Sequence, residues 1–403
     1  TDNLIEITDI AAGGNELGAS EKLNAIKRRH YDAITNTESY RKDAETALDV
    51  LFAELGSLVR GLSLLKECSS RTGDAVLAFG ELLSTTVILA RAGNMGIRAE
   101  RLDSRDFVHT NADFSSASPD FPKTNKAIRS LLKPEAGKLI IVQGFIGRAP
   151  SGATTTLGRG GSDYTAAIIG AALAAREIQI WTDVNGIMTS DPRIVDNART
   201  IGKISYDEAA ELSYFGAKVV HPSTIQPATE HNIPVLVKNT LDPEGQFTAV
   251  TGATQETGIS AIAGKAGITL INITSSRMLN AYGFLSGIFS VFEKHKTSVD
   301  LIATSEVSVS VTIDNPASVE AIAEDLEKLG RVGIEKNKAI VCLVGKDLWK
   351  DPSFIARVFA SLQTTAVRMI SLGSSDINLP FVVSEEELSE TVRTLHRSFF
   401  SAG

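Results

Sequence analysis

"GRGGSDYTAA", Gly158 to Ala167, is the stretch on which the reading of this chain turns. Three glycines surround Arg159, and Ser162–Asp163 then open an apolar, alanine-rich segment. Glycine lets a backbone take positive φ and approach a ligand closely. A helix starting at about Ser162 would offer free N–H groups and a positive dipole end to an anion. No Gly-Lys-Ser/Thr follows, as a nucleotide P-loop requires. The guanidinium of Arg159 matches a carboxylate bidentately, and a phosphate nearly as well. A tight connection with a solvated arginine is the competing account of this segment.

Outward from the turn, strand and helix alternate. "KLIIVQGFIG" (138–147) predicts a strand buried in a parallel sheet. "DYTAAIIGAALAARE" predicts a helix, "IQIWTDV" a strand, "SYDEAAELSYFGA" a helix and "NIPVLVKN" a strand. Such alternation predicts an α/β domain with a mainly parallel sheet sandwiched by helices. Ligands of such sheets sit at the carboxyl ends of strands, where Gly144, Arg159, Asp183 and Asn239 fall. Upstream, apolar residues at three- and four-residue spacing predict helices over 21–34, 41–67 and 71–93. The third is expected to be broken or entered near Gly80 and to end in a C-cap at Ala92–Gly93. "GIRAERLDS" reads as a short strand.

The stretch 242–258 is rich in Pro, Gly and Thr and reads as a linker. Beyond it a βαββα pattern occurs twice, and Ser305-Glu306-Val307 in the first copy answers Ser375-Asp376-Ile377 in the second. This is an internal duplication. Small duplicated α/β units bind effectors or serve dimerisation. The expected domains are 1–250 for catalysis, then 258–338 and 339–403 for the repeats, with segments that can interleave.

With 403 residues there is room for two or three domains with real cores. A formal charge of -8 and the lack of a Lys/Arg-rich stripe argue against a nucleic-acid partner. Two distant cysteines, Cys68 and Cys342, fit free thiols in a reducing compartment. Apolar runs such as Ala166–Ala175 are too short to span a bilayer, so no membrane partner is expected. Six scattered histidines form no metal motif.

Three further segments carry candidate chemistry. "WTDVNGIMTSDPR" (181–193) ends a strand in Thr-Asp and closes a loop with Asp191-Pro192-Arg193, either a nucleotide edge or an ordinary turn. "FGAKVVHPS" (215–223) puts Lys218 near a helix end, where it reaches a phosphate or satisfies the helix C-terminus. His221, just before a proline, reads as a loop holder. "FGELLS" (79–84) sets Glu81 in an apolar helix, and a buried glutamate needs a cation, either a substrate ammonium or an internal partner.

"TTTLGRGGSDYTAA", "WTDVNGIMTSDPR" and "FGAKVVHPSTIQPA", in this order, closely resemble the signature segments of aspartate kinases, which have the amino-acid kinase fold. Residues 277–314 resemble the first of that family's paired ACT domains, and the sequence is most similar to the lysine-inhibited, single-function branch. The resemblance implies phosphoryl transfer from ATP to the β-carboxylate of L-aspartate. It implies that Arg159 clamps the substrate α-carboxylate, with Glu81 and Asp163 on its ammonium and Thr1, Gly160 and Ser162 beside it. It further implies that Lys218 and Val219 meet ATP, and that Thr182, Asp183, Met188 and Arg193 line its site. Met188 stands where the family often has an aromatic residue. Mg²⁺ is expected on the ATP phosphates, without a dedicated carboxylate cage. The effector, expected to be lysine, falls to Met278, Gly283, Phe284, Leu285, Ser298, Val299, Asp300, Thr304, Ser305 and Glu306, at an interface between subunits. For Phe284 and Leu285, core packing of a helix face is the alternative. Asn280, Ala281 and Tyr282 replace the His-Ser-Arg or His-Ala-Arg usual in the branch. A homodimer or tetramer is expected, in the cytoplasm or, with a transit peptide, a plastid.

The family's Lys-Phe-Gly-Gly-Thr-Ser strand has no counterpart, and Thr1–Leu4 resembles a segment some forty residues further along the family pattern. The sequence is therefore expected to begin downstream of that strand. Two other readings remain at this point: a catalytically silent amino-acid sensor on the same scaffold, and a different amino-acid kinase.

Overall fold

The computed structural model describes residues 1–35, 40–216, 222–252, 257–279, 282–373 and 375–400. Contacts divide the chain into two compact units: Thr1–Ile178 with Ser223–Ile233, and Gln179–Pro222 with Pro234–Gly403.

The first unit opens with α1 (Asp2–Ala12), α2 (Glu16–Ile34), α3 (Arg41–Leu65) and α4 (Ser70–Asn94). Side-chain caps fix two of these starts. Asn15 accepts from Gly18 N, and Ser69 from Thr72 N. Ile7, Ile34, Leu48, Leu55, Val76 and Leu83 close an apolar core among the four helices. β1 (Ala99–Leu102) follows, then α5 (Phe121–Leu131), capped by Asp120. β2 (Leu139–Val142) pairs parallel with β1. β3 (Ile146–Arg148) and β4 (Thr154–Thr156) form an antiparallel pair, and α6 (Gly161–Ala172) leaves the glycine turn. Phe107, Ile128, Leu157 and Ile168 form a second core here.

The second unit contains β5 (Ile178–Thr182) from Gln179 onward, β6 (Lys203–Ser205) and α7 (Tyr206–Tyr214). α7 starts on a capping box between Ser205 and Glu208. Most of α8 (Pro222–Glu230) belongs to the first unit. β7 (Val235–Asn239) and β8 (Thr248–Thr251) complete a four-stranded sheet of order β5-β7-β8-β6.

A second sheet is built from β9 (Gly258–Thr274), α9 (Phe284–Lys294), β10 (Ile302–Thr304), β11 (Ser308–Ile313) and α10 (Val319–Glu327). β12 (Arg331–Lys346), α11 (Pro352–Ser361), β13 (Met369–Ile370), β14 (Asn378–Ser384) and α12 (Leu388–Phe400) complete it. Its order is β10-β11-β9-β12-β14-β13, antiparallel throughout. The repeats interleave because β9 and β12 each run through both. One core gathers Ile271 and Ile273 with α9, β11 and α10, and the other gathers Ile262 with Val341, Phe381 and α11 and α12.

Five sequence expectations need correction. α4 runs unbroken through Gly80, which faces the Leu4 side chain. It also passes Gly93 and ends at Asn94, so Ala92–Gly93 is not its cap. α4 is, moreover, long and apolar enough to cross a membrane by length and composition, although half of its apolar window is buried inside the protein. Stretch 138–147 is not one strand but β2 and β3, with Phe145 at φ 68° between them. Part of the expected linker at 242–258 is β8, bonded to both β6 and β7.

Candidate active site

The residues expected to take the amino-acid substrate lie in the first unit. Gly160 caps α6 at φ +70°, a conformation that L side chains rarely adopt. A Cβ on Gly144 would stand 2.8 Å from Ser162 Cα, so only glycine allows β2 to lead so close under the helix start. The first turn of α6 leaves the N–H groups of Ser162 and Asp163 without intrahelical acceptors. Arg159 and Ser162 are exposed, and Thr1 is exposed just ahead of α1.

Glu81 and Asp163 are half-buried. Burial raises the Glu81 carboxyl. Burial alone raises Asp163. Among the described residues neither carboxylate has a hydrogen-bond or ion-pair partner, and the Arg159 guanidinium donates to no acceptor. Among the described residues, Glu81 and Asp163 thus each lack a cation and Arg159 offers a free fork of donors.

The described residues expected to take nucleotide lie in the second unit, where Thr182, Asp183, Met188 and Arg193 all line one cavity of about 470 Å³. Arg193 is already paired: Asp191, which lines the same cavity, accepts from its Nε at 3.0 Å and from a terminal nitrogen at 2.6 Å. Lys218 and Val219 lie outside the described residues, as do Asn280 and Ala281.

Sequence reasoning missed the far wall of this cavity, made by Ile262, Ala263 and Gly264 of β9 and Val392 of α12. Ile262 N donates to Thr189 O at 2.9 Å, and Ser190 Oγ donates to Ile262 O at 3.0 Å. The buried His396 ring meets Thr189 Oγ1 at 2.9 Å, and Arg393 Nε donates to Ile194 O. Nothing local in the sequence signals these contacts, which span 72 to 207 residues.

The residues expected to take an effector gather around α9 and β10. Gly283 caps α9, while Met278, Phe284 and Val299 pack on the core and Leu285 is partly exposed. Ser298, Thr304, Ser305 and Glu306 are exposed. Asp300 departs from the expectation that it waits for an effector ammonium. Its side chain is 2% exposed and already holds the ammonium of Lys265 at 2.9 Å and the hydroxyl of Tyr214 at 2.9 Å. Burial pushes the Asp300 carboxyl up, against Lys265 and Tyr214, which favour the anion. Among the described residues its second oxygen, Oδ2, is buried without a hydrogen-bond partner.

The amino acid kinase family matches residues 2–239 and an ACT domain matches 341–399. Aspartokinase 1, chloroplastic, from Arabidopsis thaliana is 37% identical over 98% of this chain and 71% of its own length. Lysine-sensitive aspartokinase 3 from Escherichia coli is 38% identical over 94% of this chain and 86% of its own. The crystal structure of E. coli aspartokinase III with aspartate and ADP, in the R-state, superposes with a TM-score of 0.85 at 36% identity, covering 98% of this chain and 91% of that one. The same enzyme with lysine and aspartate, in the T-state, gives 0.78 over 98% and 90%.

Proposed function

Since this chain belongs to the aspartokinases of the amino acid kinase family, we propose that it transfers the γ-phosphoryl group of ATP to the β-carboxylate of L-aspartate. The products are 4-phospho-L-aspartate and ADP. A β-carboxylate titrates near 4, so the nucleophile is already ionised at neutral pH. Its oxygen forms the new bond to the γ-phosphorus as the bond to the ADP oxygen breaks, and no proton has to be removed. Positioning and charge neutralisation therefore carry the catalysis.

Arg159 takes the substrate α-carboxylate through two parallel N–H···O bonds, supported by the backbone around Gly160 and Ser162 and by Thr1. Glu81 and Asp163 receive its ammonium. The observation that carries this reading is that all three side chains lack described partners. ATP occupies the cavity lined by Thr182, Asp183, Met188 and Arg193, with Lys218 and Val219 at its phosphates. Mg²⁺ held by those phosphates would supply charge neutralisation there. Among the described residues no cluster of three metal-binding side chains offers it a cage.

Lysine is the proposed feedback inhibitor, bound among the residues around α9 and β10 in a homodimer or tetramer formed through the regulatory repeats. The proposed division is catalysis over 1–250 and regulation over 258–338 and 339–403. A reducing compartment, cytoplasm or plastid, suits an exposed Cys68 and a buried Cys342.

The test is a hydroxylamine-trapping assay on the full-length protein with Mg·ATP and aspartate, repeated with lysine. An acyl hydroxamate that lysine suppresses is expected. Lysine binding without any acyl phosphate would make the protein a sensor instead.

A further inference from the structure

Asp74 is 1% exposed, in the first half of α4, yet it has no part in the chemistry above. Its carboxylate accepts from Ser115 N at 2.9 Å, from Thr156 N at 2.9 Å and from Thr156 Oγ1 at 2.8 Å. No cation is among these partners, so backbone dipoles and one hydroxyl hold the buried charge. Such a group is costly to bury, and what it joins is specific. Thr156 ends β4, three residues before Arg159. Ser115 has left-handed backbone, φ 74°, which only surrounding contacts sustain.

The two tethered segments support each other. Ala117 N donates to Thr156 O at 2.9 Å, and Leu157 N donates to Phe145 O at 2.8 Å, which fixes the chain as it enters the arginine turn. Glu81 lies seven residues beyond Asp74 on the same helix, so about two turns and about 10 Å along nearly the same face. One rigid helix thus carries both the group that anchors the arginine turn and the carboxylate that receives the substrate ammonium.

We propose that Asp74 is a positioning residue for the amino-acid substrate: through Thr156 it sets the separation between the Arg159 turn and Glu81, and hence the fit to an α-amino acid. This rests on the assignment of Arg159 and Glu81 as the substrate clamp.

The test compares Asp74→Asn, Thr156→Val and Thr156→Ser in the full-length protein, measuring KM for aspartate, KM for ATP, kcat and thermal melting. Asp74→Asn and Thr156→Val are expected to raise the aspartate KM about tenfold to a hundredfold while the ATP KM stays within about twofold. Thr156→Ser keeps the hydroxyl and should return the aspartate KM to near wild type. If Asp74→Asn does not fold, the Thr156 pair decides alone. A lowered melting temperature with an unchanged aspartate KM in Thr156→Val would make the tether merely structural and overturn the proposal. An active protein whose aspartate KM ignores Arg159→Lys would instead overturn the clamp assignment itself.

Discussion

Lys265 Nζ lies 2.9 Å from Asp300 Oδ1, so a carboxylate expected to greet an effector's ammonium already holds one of the chain's own. Lys265 also reaches Asp314 at 2.9 Å and sits 4.9 Å from the Tyr214 ring centroid. An incoming amine must displace Lys265 or settle on the unpartnered Oδ2. Lys265→Met leaves only the Tyr214 hydroxyl on the carboxylate and removes that competition, so the lysine concentration for half-inhibition should fall about tenfold. Breaking a buried pair should also destabilise the fold by about 3 kcal/mol, visible as a lower melting temperature. Unaltered lysine sensitivity would remove Asp300 from the effector site.

Arg159→Lys replaces a planar fork by a point charge. The aspartate KM should rise about tenfold to a hundredfold, with the ATP KM unchanged. Steady-state kinetics with each substrate varied in turn would reveal this. Equal loss for both substrates would contradict it.

The raised carboxyls of Glu81 and Asp163 give a signed pH dependence. A carboxyl raised in the folded state binds more protons folded than unfolded, so stability of the empty protein falls as pH rises through the carboxyl range. Aspartate's ammonium requires the ionised forms and compensates for that loss. Its stabilising effect in thermal melts should therefore grow from acid toward neutral pH. In the double variant Glu81→Gln, Asp163→Asn that growth should disappear.

Gly264 offers a test of the proposed nucleotide cavity that leaves the proposed substrate clamp untouched. A Cβ there would crowd the end of the Leu388 side chain, at 2.8 Å, which can move, and touch Val392 Cγ2 at 3.5 Å. Gly264→Val narrows the wall and should raise the ATP KM about tenfold without changing the aspartate KM. A normal ATP KM in a folded variant would place the nucleotide elsewhere.

Periodicity made the amphipathic helices α2 and α3 legible, and the doubled pattern announced the repeats. The break between β2 and β3 was hidden because Gly144 sits inside an apolar run that reads as one strand. Gly80 misled in the opposite direction: a helix tolerates glycine where a neighbouring side chain such as Leu4 packs against it. Arg159 and Glu81 stood out because charge in glycine-rich or apolar surroundings is conspicuous. Asp74 did not, since its partners lie 41 and 82 residues away and only folding brings them to it. Lys265 looked like any charged residue on a strand until the fold supplied Asp300.

β9 is a single strand of 17 residues. Near its start Ile262 clasps the loop of the nucleotide cavity, and near its end Ile271 and Ile273 seat the core under α9. Inserting or deleting one residue between these points would turn every later side chain to the opposite face of the sheet. One strand thus ties the segment that lines the cavity to the core under α9, and a one-residue change between Ile262 and Ile271 would force one of the two to re-pair.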